Sequence, residues 1–159
     1  MDRYDPRTWD AGYVRRNERD CVDVLEVMAG GLKECVREGD YATSIQGCDV
    51  MCNALSMLAQ ECGGDRYAPM LYAYSFILAE LCLFGIGGER GLRAGIPPLL
   101  DAYDFARSCA RPGRRTAERA SRDARKMEGM IESLKREEPL SEVRRKYCPD
   151  FPYDIINGN

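Results

Sequence analysis

The residue best placed to do chemistry in this sequence is a carboxylate inside an apolar segment. Glu80 is the one charged residue between Ala68 and Ile86. A carboxylate in such surroundings is costly unless it is paired or protonated. Two interpretations follow. Glu80 either forms a structural ion pair with an arginine of a neighbouring helix, or it lines a pocket that receives a basic ligand.

Cysteine thiols are the second candidate chemistry, since the chain has eight cysteines. Cys48 and Cys52 are one helical turn apart and Cys62 follows on the same predicted face, so their thiolates could share a metal ion. A structural zinc site takes four ligands, usually from close pairs, and the sequence has no Cys-x-x-Cys pair. Packing in the core is the favoured interpretation, and we expect neither a metal nor a cofactor.

Catalysis by a nucleophile would need Cys109, whose neighbours Arg107 and Arg111 favour a lowered thiol pKa. No base is available in the usual form, because the sequence has no histidine. Histidine-containing zinc sites and Ser-His-Asp triads are excluded for the same reason. We therefore expect a non-enzymatic protein, and carboxylates gathered in a pocket are the remaining route to catalysis.

Basic residues are concentrated toward the C-terminal end of the chain. Residues 107–146 hold 13 Lys and Arg against 7 Asp and Glu, whereas residues 1–106 hold 10 against 17. Four of the basic residues follow steps of four, three and four, which places them on one side of a helix. The basic stripe is defined as these four and three flanking arginines: Arg115, Arg119, Arg122 and Lys126, with Arg111, Arg114 and Arg125.

Three interpretations of the basic stripe are open. It is a solvated helix face supported by Glu118, Asp123 and Glu128, a surface for an acidic protein, or a row that follows nucleic-acid phosphates. No aromatic residue is interleaved with the arginines, which argues against stacking on single-stranded bases.

The elements that must position these residues are helices. Apolar residues recur at steps of three and four in several segments, and none alternates with a period of two. This pattern predicts an all-α fold of about five helices, in an antiparallel bundle or a short helical-hairpin array. The predicted helices span about 13–38, 41–62, 65–84 and 97–109, and a fifth begins after Thr116. Pro139 either ends the fifth helix or opens a short one that continues to about Tyr147.

Glycines mark the predicted breaks. Gly39-Asp40 and Gly63-Gly64 separate helices, and Gly30-Gly31 predicts a bend or a close helix crossing. The glycine-rich segment 85–95 is interpreted as a mobile loop. It lacks the Gly-Lys-Ser/Thr of a phosphate-binding loop.

Residues 1–147 are predicted to form a single helical domain, and residues 148–159 an extended C-terminal tail. The tail carries Phe151, Tyr153 and Ile155, so it either folds back over the bundle or docks on a partner.

The environment expected for the protein is the cytoplasm. The N-terminal residues lack the basic start and apolar run of a signal peptide, and reduced core cysteines suit a reducing compartment. The apolar run 68–86 is long enough to span a membrane. Glu80 and two tyrosines within it favour a packed core helix, so we expect no membrane association.

The segment Gly39-Asp40-Tyr41-Ala42-Thr43-Ser44-Ile45, continuing to Cys48 and Met51, resembles the second helix of a tetratricopeptide repeat. Ser44 stands at the family's small position, while Cys48 replaces an aromatic residue and Met51 a small one. The resemblance covers residues 39–54. It implies a helical-hairpin scaffold that binds other proteins.

The expected function is a non-catalytic helical interaction protein: an adaptor, an inhibitor or an assembly subunit. The alternative is a small helical subunit or inhibitor of a nucleic-acid-handling complex, acting through the basic stripe and of mobile-element or defence origin. Narrow apolar seams also occur in self-associating helices, so a homodimer is a further option.

Overall fold

The computed structural model describes residues 1–158, and these form eight α-helices and no β-strand. The predicted all-α fold is confirmed. In chain order the helices are α1 (Ala11–Arg16), α2 (Glu18–Arg37), α3 (Tyr41–Cys62), α4 (Gly64–Glu80), α5 (Gly88–Cys109), α6 (Ala117–Lys135), α7 (Leu140–Tyr147) and α8 (Tyr153–Ile156). A π-helical turn, Leu81–Ile86, joins α4 to α5.

Side-chain caps begin α1 and α3. Asp10 accepts a hydrogen bond from the backbone N–H of Tyr13 at 2.7 Å, and Asp40 accepts one from Thr43 at 3.1 Å. These caps satisfy backbone donors that a helix start leaves free. The predicted helix 13–38 is in fact two helices, because the chain leaves helical geometry at Asn17. The turn before α3 lies where the glycine-aspartate pair predicts it.

Helix α4 is the centre of the fold and packs on both α3 and α5. Side chains on several of its faces are buried, among them Tyr67, Leu71, Phe76 and Ala79. The stretch Gly64–Ile86 is long and apolar enough to cross a membrane, and 56% of its most apolar window is buried inside the fold. Burial on several faces explains why this helix lacks a polar side.

The glycine-rich segment 85–95 is not a loop, so that prediction is wrong. The π-helical turn occupies its first residues and α5 its remainder. A Cβ on Gly91 would overlap the backbone carbonyl of Cys82, and one on Gly95 would lie 2.7 Å from Cγ of Leu83. These glycines therefore let α5 approach the end of α4 closely. Helix α5 also continues through Pro97 and Pro98, which were predicted to start a helix.

Gly30 and Gly31 do not mark a close helix crossing, and α2 runs unbroken through both. A Cβ at either position would meet no heavy atom within 4 Å. Gly30→Ala and Gly31→Ala are therefore expected to raise the free energy of unfolding by about 1 kcal/mol each. Urea denaturation of each variant measures this, and a loss of stability would show that the α2 surface is covered.

The C-terminal segment folds back on the bundle and is not the extended tail predicted for residues 148–159. Residues 148–152 make turns, and α8 follows and contacts α2. Phe151 and Ile155 are 4% and 3% exposed, whereas Tyr153 is 65% exposed. Two of the three predicted docking residues are thus part of the core. Asn159 lies outside the described residues.

Candidate functional site

The basic stripe lies on α6 and on the connection before it. Ala120, Ala124, Met127 and Met130 bury the opposite side of α6 in the core. Five of the seven stripe residues are exposed, as a solvent-facing stripe predicts. These are Arg111, Arg115, Arg119, Arg122 and Arg125. Arg115 precedes the first residue of α6, so the helical part of the stripe begins at Arg119.

Two stripe residues contact other parts of the fold, whereas the stripe was predicted to face solvent. Arg114 pairs with Asp65 at 2.6 Å, which ties the connection before α6 to the start of α4. Lys126 is half-buried, and its Nζ lies 4.7 Å from the ring centroid of Phe76. The aliphatic stem of lysine and its attraction to an aromatic face explain this position.

Most of the exposed stripe is not neutralised within the chain. Among residues 1–158, no carboxylate oxygen lies within 4.0 Å of a guanidinium nitrogen of Arg111, Arg115, Arg122 or Arg125. Arg119 approaches Asp123 at 3.9 Å. The acidic residues expected to support a solvated face therefore supply a single long ion pair.

Glu80 lies in a pocket of about 300 Å³, to which α2, α4, α6 and α8 contribute. Its side chain is 3% exposed, and its Oε2 atom has no hydrogen-bond partner within residues 1–158. The ion pair with an arginine, one of the two interpretations, is absent from the described residues. Glu80 instead stands beside a second carboxyl group, that of Asp154 on α8, whose Oδ1 atom is also buried without a partner.

Burial, followed by the hydrogen bond and the charge of Asp154, raises the pKa of Glu80 well above its ordinary value. The positive charge of Lys126 and a hydrogen bond from the Cys148 thiol act in the opposite direction. Two carboxyl groups close together in an apolar site do not both ionise readily. Glu80 is therefore the member of this pair that keeps its proton above the ordinary carboxyl range.

The rest of the pocket supplies one hydrogen-bonded carboxylate, basic groups and aromatic walls. The Tyr72 hydroxyl donates to Asp123 at 3.0 Å. Lys33, Arg119 and Lys126 line the same pocket. The pocket thus adjoins the basic stripe, because Arg119 and Lys126 belong to both.

The protonated Glu80 predicts an unusual pH dependence of stability. From the ordinary carboxyl range up to the raised pKa, the unfolded chain loses this proton while the folded chain keeps it, so the free energy of unfolding falls as pH rises. The expected slope approaches about 1.4 kcal/mol per pH unit. Since the chain has no histidine, few other groups titrate from about pH 5 to about pH 8.

Urea denaturation at several pH values across that range measures the slope. Glu80→Gln removes the titrating group, so this variant is expected to lose the slope and to exceed the wild type in stability at about pH 7. Equal slopes in the two proteins would show that another group titrates.

All eight cysteines are free thiols, and five of them are buried: Cys21, Cys48, Cys82, Cys109 and Cys148. Cys48 donates to the backbone carbonyl of Tyr74 at 3.3 Å. Burial raises the pKa of Cys109 despite the opposing charge of Arg114. The prediction of a lowered thiol pKa at Cys109 is therefore wrong.

Sequence reasoning located Glu80 but missed Asp154, its partner in the pocket. Asp154 stands between the apolar residues Tyr153 and Ile155, and this local sequence does not indicate which helix the segment packs against. The buried position of Phe151, which brings α8 against the bundle, is set by tertiary packing alone.

The chain matches no protein-family model, no curated protein and no solved structure.

Proposed function

We propose that this protein is a non-catalytic helical interaction protein that binds an acidic surface of a partner protein through the exposed arginines of the basic stripe. The observation that carries the proposal is that four of these arginines are exposed and have no ion pair within residues 1–158. A partner can pair with these four arginines without an internal ion pair of theirs being broken.

The rigidity of α6 favours such binding. Its apolar side is anchored by fully buried residues such as Ala120 and Met130. The backbone that carries Arg119, Arg122 and Arg125 is therefore ordered before a partner arrives, which lowers the entropic cost of association. A single exposed ion pair contributes only about 0.2–1 kcal/mol, so several arginines must act together.

An acidic protein patch suits this face better than a nucleic acid. The remainder of the chain is acidic, with 17 Asp and Glu against 10 Lys and Arg in residues 1–106. A long polyanion would be repelled by that body, whereas a compact acidic patch meets the arginines alone. Glu118 and Glu128 are exposed on the same helix and would oppose a continuous row of phosphates.

A defined-probe experiment tests the choice. A fluorescent glutamate-rich peptide and a fluorescent DNA duplex are titrated with the wild type, with Arg115→Glu/Arg122→Glu, and with Arg19→Glu/Arg90→Glu. The last variant changes the same number of exposed arginines elsewhere on the chain, and these too have no ion pair within residues 1–158. The peptide is expected to bind the wild type and the control alike, and the stripe variant roughly tenfold more weakly.

Two results would contradict the proposal. Equal peptide binding by the two variants would show that the stripe has no special role. Tighter binding of the duplex, lost in the stripe variant alone, would assign the face to nucleic acid.

A further inference from the structure

We propose that the Glu80 pocket binds a small zwitterionic molecule, with its ammonium group at Glu80 and Asp154 and its carboxylate or phosphate group at Lys126. This inference does not depend on the arginines exposed at the basic stripe. It rests on four observations: unpartnered acceptors, an uncompensated cation, apolar walls and a pocket of suitable size.

The carboxyl pair is buried, and apart from the proton that its two members can share, its Oε2 and Oδ1 atoms lack donors in the described part of the chain. Glu80 is 3% exposed, and its Oε2 atom and the Oδ1 atom of Asp154 have no hydrogen-bond partner among residues 1–158. Both residues line the same pocket. Buried polar atoms in folded proteins are nearly always paired, and an exception calls for an explanation. A group with several N–H donors, such as an ammonium group, satisfies both oxygens at once.

The cation is Lys126, which lines the pocket from α6. Lys126 is half-buried, its Nζ lies over the Phe76 ring, and no carboxylate oxygen of residues 1–158 lies within 4.0 Å of that Nζ. Lys33 and Arg119 also line the pocket, and among the described residues no direct ion pair joins Lys126 to the carboxyl pair. A ligand with one positive and one negative group would pair with the carboxyl groups and with Lys126 at the same time.

The walls and the size of the pocket suit a short aliphatic linker between the two charges. Tyr72, Phe76, Ile77 and Met127 supply apolar surface, and the volume is about 300 Å³. This is the lower end of the range for small-molecule sites, which combine mostly apolar walls with a few convergent polar groups. Amino acids and amino phosphates are the chemical class that fits.

Proton movement gives the binding step a signature. When Glu80 carries a proton, its hydroxyl group can donate to the Asp154 carboxylate. A bound ammonium group donates to both carboxylates, so the proton of Glu80 passes to solvent and no covalent bond of the ligand changes. The proposal thus predicts release of up to one proton for each ligand bound near neutral pH.

Isothermal titration calorimetry with glycine, β-alanine, γ-aminobutyrate and lysine tests the site, with butylamine and butyrate as single-charge comparisons. At least one zwitterion is expected to bind with a millimolar or lower Kd. The heat of binding is expected to change with the ionisation enthalpy of the buffer, which reports the proton. Butylamine and butyrate are each expected to bind at least tenfold more weakly.

Matched variants assign the binding to its residues. Glu80→Gln and Lys126→Met are each expected to weaken the zwitterion at least tenfold, while the exposed α6 changes Glu128→Gln and Lys135→Met leave it unchanged. Circular dichroism confirms folding, and Lys126→Met retains an aliphatic stem over Phe76. Arg115→Glu/Arg122→Glu is expected to bind normally, which separates this site from the proposed partner surface.

Three outcomes would overturn the assignment. The first is that none of the four zwitterions binds at millimolar concentration. The second is that a zwitterion binds Glu80→Gln as tightly as the wild type, and the third is that butylamine binds as tightly as the best zwitterion. The last of these would leave Lys126 without the role assigned to it.

Discussion

Phe151→Ala is expected to lower the free energy of unfolding by about 3–5 kcal/mol, the range for removing a buried phenyl ring. Phe151 is 4% exposed, and its ring centroid lies 5.9 Å from that of Tyr41 and 5.8 Å from that of Phe84. The ring therefore joins the C-terminal segment to α3 and to the π-helical turn. Urea denaturation monitored by circular dichroism measures the loss.

Tyr153→Ala is the matched control, because it removes an aromatic ring two residues away that is 65% exposed. Its effect is expected to stay within about 0.5 kcal/mol, as for other exposed positions. Equal effects of the two changes would contradict the folded-back position of the segment.

Gly91→Ala is the second change with a large expected effect, a destabilisation of about 3 kcal/mol or more. The added methyl group would overlap the backbone carbonyl of Cys82, and Gly91 is itself buried. A backbone atom cannot move aside as a flexible side chain can. Relief of the overlap requires α5 to separate from the π-helical turn, on which it packs directly.

Gly47→Ala on α3 controls for the gain in helix propensity, since a Cβ there meets no heavy atom within 4 Å. This variant is expected to gain about 1 kcal/mol. A stabilised Gly91→Ala protein would mean that α5 and the π-helical turn do not approach closely at this glycine.

Helix periodicity allowed most of the fold to be predicted, with errors in the details of packing. Cys48, Cys52 and Cys62 were predicted to share one core face of α3, but Cys48 is buried whereas Cys52 and Cys62 are only partly buried. Helix α3 also buries Ser44, Met51 and Leu58, because the positions of the neighbouring helices decide which residues face the core. The tetratricopeptide resemblance in this helix stays a prediction.

The glycine-rich segment was misread because glycine permits two opposite structures. It breaks helices by its conformational freedom, and it also lets two backbones approach where any side chain would collide. Gly91 and Gly95 serve the second role, being one turn apart on the side of α5 that meets the end of α4. The sequence contains the spacing but does not reveal which helix lies opposite.

The candidate site was predictable only in part. Glu80 was identifiable as a charge in an apolar run, and the basic stripe as a helical repeat of arginines. Asp154 was not, because its place in the pocket depends on the path of residues 148–152 and on the burial of Phe151 and Ile155. The position of Lys126 in the pocket was not predictable either, because it depends on the contact of its side chain with the Phe76 ring.

The claim that this protein acts through its exposed arginines is tested most directly by affinity capture from extracts of cells that express it. The wild type, Arg115→Glu/Arg122→Glu and Arg19→Glu/Arg90→Glu are compared after nuclease treatment, and the captured proteins are identified by mass spectrometry. The proposal predicts an acidic protein that is recovered with the wild type and the control, is lost with the stripe variant, and elutes as salt is raised. Recovery of the same proteins with all three baits would contradict it.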